Sequence, residues 1–303
     1  MAQPQVTRPR TLRLIGAPLD LGQTLRGVDM GTGALRCAGL SSHLQRLGNT
    51  VVDAGNVVMP VRDALPSAGR RHILDAMVQA NRAIARAAEK AVRMGQTPVF
   101  LGGDHAVSIG SLSGLTREEP CGVIWIDAHA DFNTPSTSLS GNIHGMALAV
   151  LTGSGPRELV DLVRKGPKVD PADVVLVGVR ELDAGERVRL RKSGIAVYTM
   201  REVDESGVVG IMKQAQSILS RHRRIHVSLD MDAMDPSVAP GVGTPVPGGL
   251  SYREAHLLME LLADTGRVAS LDIVEINPIL DERNGTAVLA MNLAGSLFGD
   301  VIL

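Results

Sequence analysis

Runs of consecutive apolar residues alternate along the chain with longer stretches in which apolar residues recur every three or four positions. The runs are "TLRLIGAP" (11–18), "NTVVDAG" (49–55), "TPVFLGG" (97–103), "GVIWIDAHA" (122–130), "DVVLVGV" (173–179), "IAVYTM" (195–200), "RIHVSLDMD" (224–232) and "VASLDIVEI" (268–276). Most are continuously apolar, as in strands covered on both faces. The longer stretches predict helices. "ILDAMVQANRAIARAAEKAVRMG" (73–95) puts Ile, Met, Val and Ala on one stripe. "LSYREAHLLMELLADTG" (250–266) opens with Ser251 and Glu254 at capping-box spacing and stops at Gly266. Eight strands with helices between them predict one parallel, doubly wound sheet. No linker or repeat divides it, so residues 1–303 read as a single domain. Its first ten residues, "MAQPQVTRPR", form a loose tail.

Composition narrows the function by exclusion. The net charge is −1 and the basic residues are scattered, so no electrostatic footprint exists for nucleic acid or an anionic membrane. There is no secretory signal and no apolar run of membrane-spanning length. Cys37 and Cys121 lack metal-type spacing and read as buried, reduced structural thiols, which predicts a cytoplasmic protein. "MGTGALR" (30–36) lacks the third glycine of a dinucleotide fingerprint and no P-loop motif exists, so these glycines shape loops.

In a parallel sheet, ligands gather outside the carboxyl ends of the strands. Four predicted strands end in polar clusters there. "GGDHAVSIG" supplies Asp104 and His105, "DAHAD" Asp127, His129 and Asp131, "DMDAMDP" Asp230 and Asp232, and "DIVEINP" Glu275. The side-chain period of two lets alternate residues share one side as a strand runs out. An isolated D-x-H would be a solvated loop or a helix cap. Here apolar runs lead straight into the acids, where ionised groups are costly unless paired. Neither cluster contains Lys or Arg. A cation is the natural counter-charge. Six ligand residues exceed the needs of one ion with an open position, so two ions sharing carboxylates are expected. Oxygen donors with some imidazole and no thiolate suit manganese rather than structural zinc.

These motifs, together with "SGNIHG" and "GVGTPVPGG", resemble the ureohydrolase family and within it the arginases, from "IGAP" near residue 15 to "SLFG" near 296. The resemblance implies a three-layer α/β/α sandwich around an eight-stranded, mostly parallel sheet, with two Mn2+ per subunit. His105, Asp127, Asp131 and Asp230 would hold one ion. Asp127, His129, Asp230 and Asp232 would hold the other, with Asp127 and Asp230 bridging. Asn133 and Ser140 would receive the α-carboxylate of L-arginine, with Ser138 where arginases often have threonine. Asp183, supported by Glu186, would take the α-ammonium. Glu275 would receive the guanidinium in a bidentate grip, with Thr244 near that end. A metal-bridging hydroxide would attack, giving urea and L-ornithine, with Asp131 the immediate proton donor and His144 the shuttle. The family further implies a homotrimer or homohexamer.

Duller readings stand beside each role. His144 could be a hydrogen-bonded loop histidine, Asp183 the cap of the helix "AGERVRLRK", and Glu275 an arginine partner. His226 and Ser228 are candidate supports for the ligands. His43, His72, His222 and His256, in helical or exposed-looking contexts, read as structural, and Trp125 as core. A relative acting on agmatine or guanidinobutyrate, or a non-catalytic arginine-binding homologue, are the alternatives. A two-metal phosphoesterase would need its D-x-H strand before the GD element, the reverse of the order here.

Overall fold

The computed structural model describes residues 9–65 and 70–300. The expected tail therefore lies outside the described residues apart from Pro9 and Arg10. Every apolar run forms a strand: β1 Thr11–Ala17, β2 Thr50–Asn56, β3 Thr97–Gly102, β4 Gly122–Ile126, β5 Val174–Val179, β6 Ala196–Thr199, β7 Ile225–Asp230 and β8 Val268–Val274. They form one sheet in the order β2-β1-β3-β8-β7-β4-β5-β6, and every pairing is parallel. The last strand in sequence thus lies in the middle of the sheet.

Between the strands run α1 Gly31–Cys37, α2 Leu40–Arg46, α3 Arg70–Arg93, α4 Val107–Leu115, α5 Ala147–Leu151, α6 Arg157–Val160, α7 Ala184–Leu190, α8 Met200–Ile218, α9 Tyr252–Asp264 and, after β8, α10 Gly285–Leu297. Successive strand residues point to opposite faces, and both faces are covered. Leu14, Leu101, Ile126 and Val177 pack with Leu35, Met212, Leu258 and Leu293 in the core shared with α1, α2, α8, α9 and α10. Phe100, Trp125 and Leu176 pack with Ile84, Ile109, Leu148 and Leu190 in the core shared with α3 to α7. The result is three layers, α/β/α, and it explains why the strands read as continuous apolar runs. Truncating one of these leucines or isoleucines to alanine would cost about 2–5 kcal/mol.

Several boundaries and environments differ from the sequence reading. β4 stops at Ile126 and β8 at Val274, short of the predicted 130 and 276, because the polar residues that follow leave the extended conformation. Asp131 and Glu275 both adopt left-handed backbone, with φ of 50° and 64°. Such geometry is costly for residues bearing a Cβ and collects at functional sites. Cys37 is exposed rather than buried, since it ends α1 away from the stripe carrying Leu35. Cys121 is buried, and burial pushes its thiol up to about 12. His222 and His256 are both buried, beside Asp173 (2.7 Å) and Ser296 (2.8 Å).

Candidate metal centre

Gly103 lets the end of β3 press against the loop after β1. A Cβ there would lie 1.8 Å from the Leu19 carbonyl oxygen, so only glycine fits. The Asp104 N–H donates to that same carbonyl at 2.7 Å. The Asp104 carboxylate accepts from the N–H groups of Gly22 (2.7 Å) and Ala106 (3.0 Å), locking the two strand ends together. His105 follows, buried, with its ring stacked on Trp125 at a centroid distance of 4.1 Å and 14° between planes. Its Nε2 is 2.8 Å from Ser228 Oγ.

The other ring nitrogen faces acid. His105 Nδ1 is 3.0 Å from Asp131 Oδ2, 3.0 Å from Asp230 Oδ2 and 3.2 Å from Asp127 Oδ2. A second group adjoins it, with His129 Nδ1 3.1 Å from Asp232 Oδ2 and 3.5 Å from Asp127 Oδ1. The two Asp127 oxygens therefore divide between the groups. Asp230 commits one oxygen to the first, while the other accepts the Asp232 N–H at 2.8 Å. His105, Asp127 and Asp230 form one candidate cation site, and Asp127, His129 and Asp232 the other.

The donor chemistry fits a metal. His105 Nδ1 and Asp131 Oδ2 are buried and make no hydrogen bond although they lie 3.0 Å apart. Orphaned buried polar atoms are rare, and these are atoms that ligate cations. Charge points the same way. Burial, then repulsion from Asp232 and Asp127, pushes Asp230 well above the usual carboxylate range, and burial with repulsion from Asp127 raises Asp232. Burial and Asp127 push Asp131 up to about 6. These aspartates ionise together only with positive charge among them, from protonated His105 and His129, which the same acids push up, or from a cation.

Beside the two groups lies a cleft of about 150 Å3, lined by Asp131, Asn133, Ser140, His144, Asp183, Glu186, Asp232 and Thr244 among others. Asn133 Nδ2 donates to Asp183 Oδ2 at 3.1 Å. Asp183 is also the N-cap of α7, in a capping box with Glu186, so the duller reading and the functional one coexist in one side chain. Glu186 Oε1 accepts the Phe132 N–H at 2.8 Å, fastening the metal loop to α7, and burial pushes its carboxyl up to about 7. Thr244 Oγ1 donates to Asp232 Oδ2 at 2.9 Å. Ser138 does not line this cleft, although its hydroxyl is 3.5 Å from that of Ser140. It lines a neighbouring cleft instead, and its hydroxyl accepts the Gly141 N–H.

Glu275 lies beneath the cleft, and its carboxylate is largely occupied. Oε1 takes the His105 N–H (2.9 Å) and His144 Nδ1 (2.8 Å), and Oε2 takes Gln23 Nε2 (2.7 Å). A carboxylate has about four lone-pair sites, two on each oxygen, so the one that remains is on Oε2, and the forked grip expected from the sequence would require His144 to leave Oε1. Burial opposes a charge on His144, but Glu275 outweighs it and pushes the imidazole up to about 9.

Sequence reasoning missed Gln23, Arg180 and the active part of Trp125. Trp125 is core as expected, yet its Nε1–H donates to Asp127 Oδ2 at 3.0 Å. The Arg180 guanidinium, just past β5, binds the carbonyls of Gly178, Asp232, Ala233, Met234 and Val246. It braces the backbone carrying Asp232 and adds the positive charge that neither acidic motif contains. Its one visible signal is an arginine directly following an apolar strand. The serine of the expected supports, Ser228, touches His105, whereas His226 faces Ser270 (2.8 Å) and Asp272 (3.3 Å).

Paired acidic and imidazole donors at the carboxyl edge of a parallel sheet, with a recess alongside, define an α/β/α protein whose strand ends could hold metal ions. A sequence profile of the arginase family matches residues 10–299. An arginase of Bacillus caldovelox is 48% identical over 97% of this chain and 100% of its own, and its crystal structure superposes with a TM-score of 0.94. An arginase of Bacillus subtilis is 45% identical over 97% of this chain and 99% of its own, and its structure gives a TM-score of 0.91. The chain belongs to the arginase family and is a hydrolase acting on a guanidino C–N bond.

Proposed function

We propose that the chain hydrolyses L-arginine to L-ornithine and urea, using two Mn2+ ions held by His105, Asp127, Asp131 and Asp230 on one side and by Asp127, His129, Asp230 and Asp232 on the other. The observation that carries this is the orphaned His105 Nδ1, surrounded by three aspartate oxygens at 3.0–3.2 Å. Once bound, the ions would supply Lewis acidity, polarising an attacking water so that it loses its proton near neutral pH.

The remaining work falls to side chains. Asn133, Ser140 and Asp183 line the cleft beside the aspartates and match the two ends of an α-amino acid: an amide and a hydroxyl for the carboxylate, an acid for the ammonium. Glu275 sets a negative charge against the guanidinium and aligns its carbon with the metal side of the cleft. Asp131 passes a proton to the departing amine. His144, charged at neutral pH because Glu275 holds it there, resupplies that proton from the cleft mouth. This reading carries with it a cytoplasmic setting and a homo-oligomer.

The test is metal content and urea release together. Protein loaded with Mn2+ should hold about two ions per chain and release urea from L-arginine far faster than from agmatine, which lacks the α-carboxylate. Equal rates on both substrates would transfer the assignment to another guanidino hydrolase.

A further inference from the structure

We infer that Asp272 is a positioning residue for the metal site: it sets the direction of a buried hydroxyl chain that keeps the proton of His105 on Nε2 and leaves Nδ1 free for a cation. The inference rests on the metal reading above and concerns residues that make no contact with the six proposed ligands other than His105. Strand register brings Asp272 of β8 beside Ser228 of β7, and Ser228 beside Trp125 of β4. On that face of the sheet α4 supplies Ser108 and Ser111. Their hydroxyls lie 2.8 and 2.6 Å from Asp272 Oδ2. Ser108 Oγ is 3.0 Å from Ser228 Oγ, which is 2.8 Å from His105 Nε2. All of these residues are at most 1% exposed.

Hydrogen counting fixes the polarity. A carboxylate only accepts, and a hydroxyl has a single hydrogen. Ser108 spends its hydrogen on Asp272, so the hydrogen between the two serines must come from Ser228. The Ser228 oxygen can then only accept from His105, which places the imidazole hydrogen on Nε2. A histidine so arranged turns a lone pair on Nδ1 toward Asp127, Asp131 and Asp230, as ligation requires. The chain also accounts for an otherwise costly group. Asp272 is fully buried, its Oδ1 has no hydrogen-bond partner, and His226 Nε2 is 3.3 Å from Oδ2. An asparagine would fill the same space, but its amide can donate and so reverse the chain. Ser111 touches Asp272 without touching Ser228, which makes it the control that a packing role would not spare.

Calorimetric titration of the metal-stripped full chain with Mn2+ alone tests this. Asp272→Asn and Ser108→Ala should each weaken binding roughly 10–100-fold, while Ser111→Ala binds as wild type does. Should Asp272→Asn fail to fold, Ser108→Ala, which keeps the carboxylate, decides. In protein loaded with diamagnetic Zn2+, the His105 Nε2 proton should exchange slowly in wild type and faster in Ser108→Ala. Undiminished Mn2+ affinity in Ser108→Ala, or an equal loss in Ser111→Ala, overturns the inference alone. A wild-type chain that takes up no Mn2+ overturns the metal reading and this inference with it.

Discussion

The His144 imidazole is the residue whose charge and position are most tightly joined, since its 2.8 Å contact with Glu275 both places it and raises it to about 9. As the shuttle that resupplies Asp131 it must be protonated, so turnover should fall as pH rises through about 9. His144→Asn should lower kcat by about 10²–10⁴-fold and abolish that alkaline limb in a pH-rate profile; a limb that persists would remove His144 from proton transfer. Stability carries the same sign. Because the folded value lies above the ordinary 6.5, the pair's contribution is complete below pH 6.5 and lost as pH rises to about 9. At the other end of the cleft, Asn133→Ala should raise KM for L-arginine about 10–100-fold, the worth of one charge-assisted hydrogen bond, and leave KM for agmatine, which has no α-carboxylate, nearly unchanged. Asp183→Ala should raise both, because agmatine keeps the ammonium. The clustering of the aspartates was legible because acid at the end of an apolar strand calls for a counter-charge. Gln23 and Arg180 were not, because each acts on residues far away in sequence and carries no motif of its own.

Elements bear the positions of these residues, and their ends matter more than their middles. All eight strands could be read from apolar runs, yet the runs overstate β4 and β8, since residue type cannot show where pairing ends or where, just past β8, the backbone turns left-handed at Glu275. The helix N-terminus at Ser251 was legible for the opposite reason: its capping box is local, and the Ser251 hydroxyl and N–H both meet Glu254 Oε2. Ser251→Ala should cost about 1 kcal/mol, lowering Tm by about 2–4 °C with kcat unchanged; a change in kcat would mean α9 reaches the site. Gly103→Ala offers the contrast. With Leu19 carbonyl oxygen in the way of its Cβ, the β3 end must shift and carry His105 with it, so Mn2+ content should drop while far-UV dichroism remains close to wild type. Full metal content in that variant would show the strand end to be more pliable than its packing implies.

For the whole molecule, repelling aspartates are gathered where several strands converge, so cation binding should add directly to stability. At a free Mn2+ concentration one hundred times the dissociation constant, the gain is about 2.7 kcal/mol per site, and chelation should lower Tm by roughly 5–10 °C. An unchanged transition would mean the acidic cluster is tolerated without an ion. The layered architecture was legible at this scale because doubly covered strands read differently from half-wet ones. Strand order was not, since any of several right-handed windings fits the same runs. That order has a consequence during synthesis. With β8 seated between β3 and β7, a chain leaving the ribosome holds two half-sheets with raw edges until its final strand arrives. His105 belongs to one half, and Asp127, Asp131 and Asp230 to the other, so no nascent intermediate can capture the first ion. Uptake of that ion would therefore close maturation, and fragments lacking the last strand should fall to chaperones or aggregation rather than to partial activity.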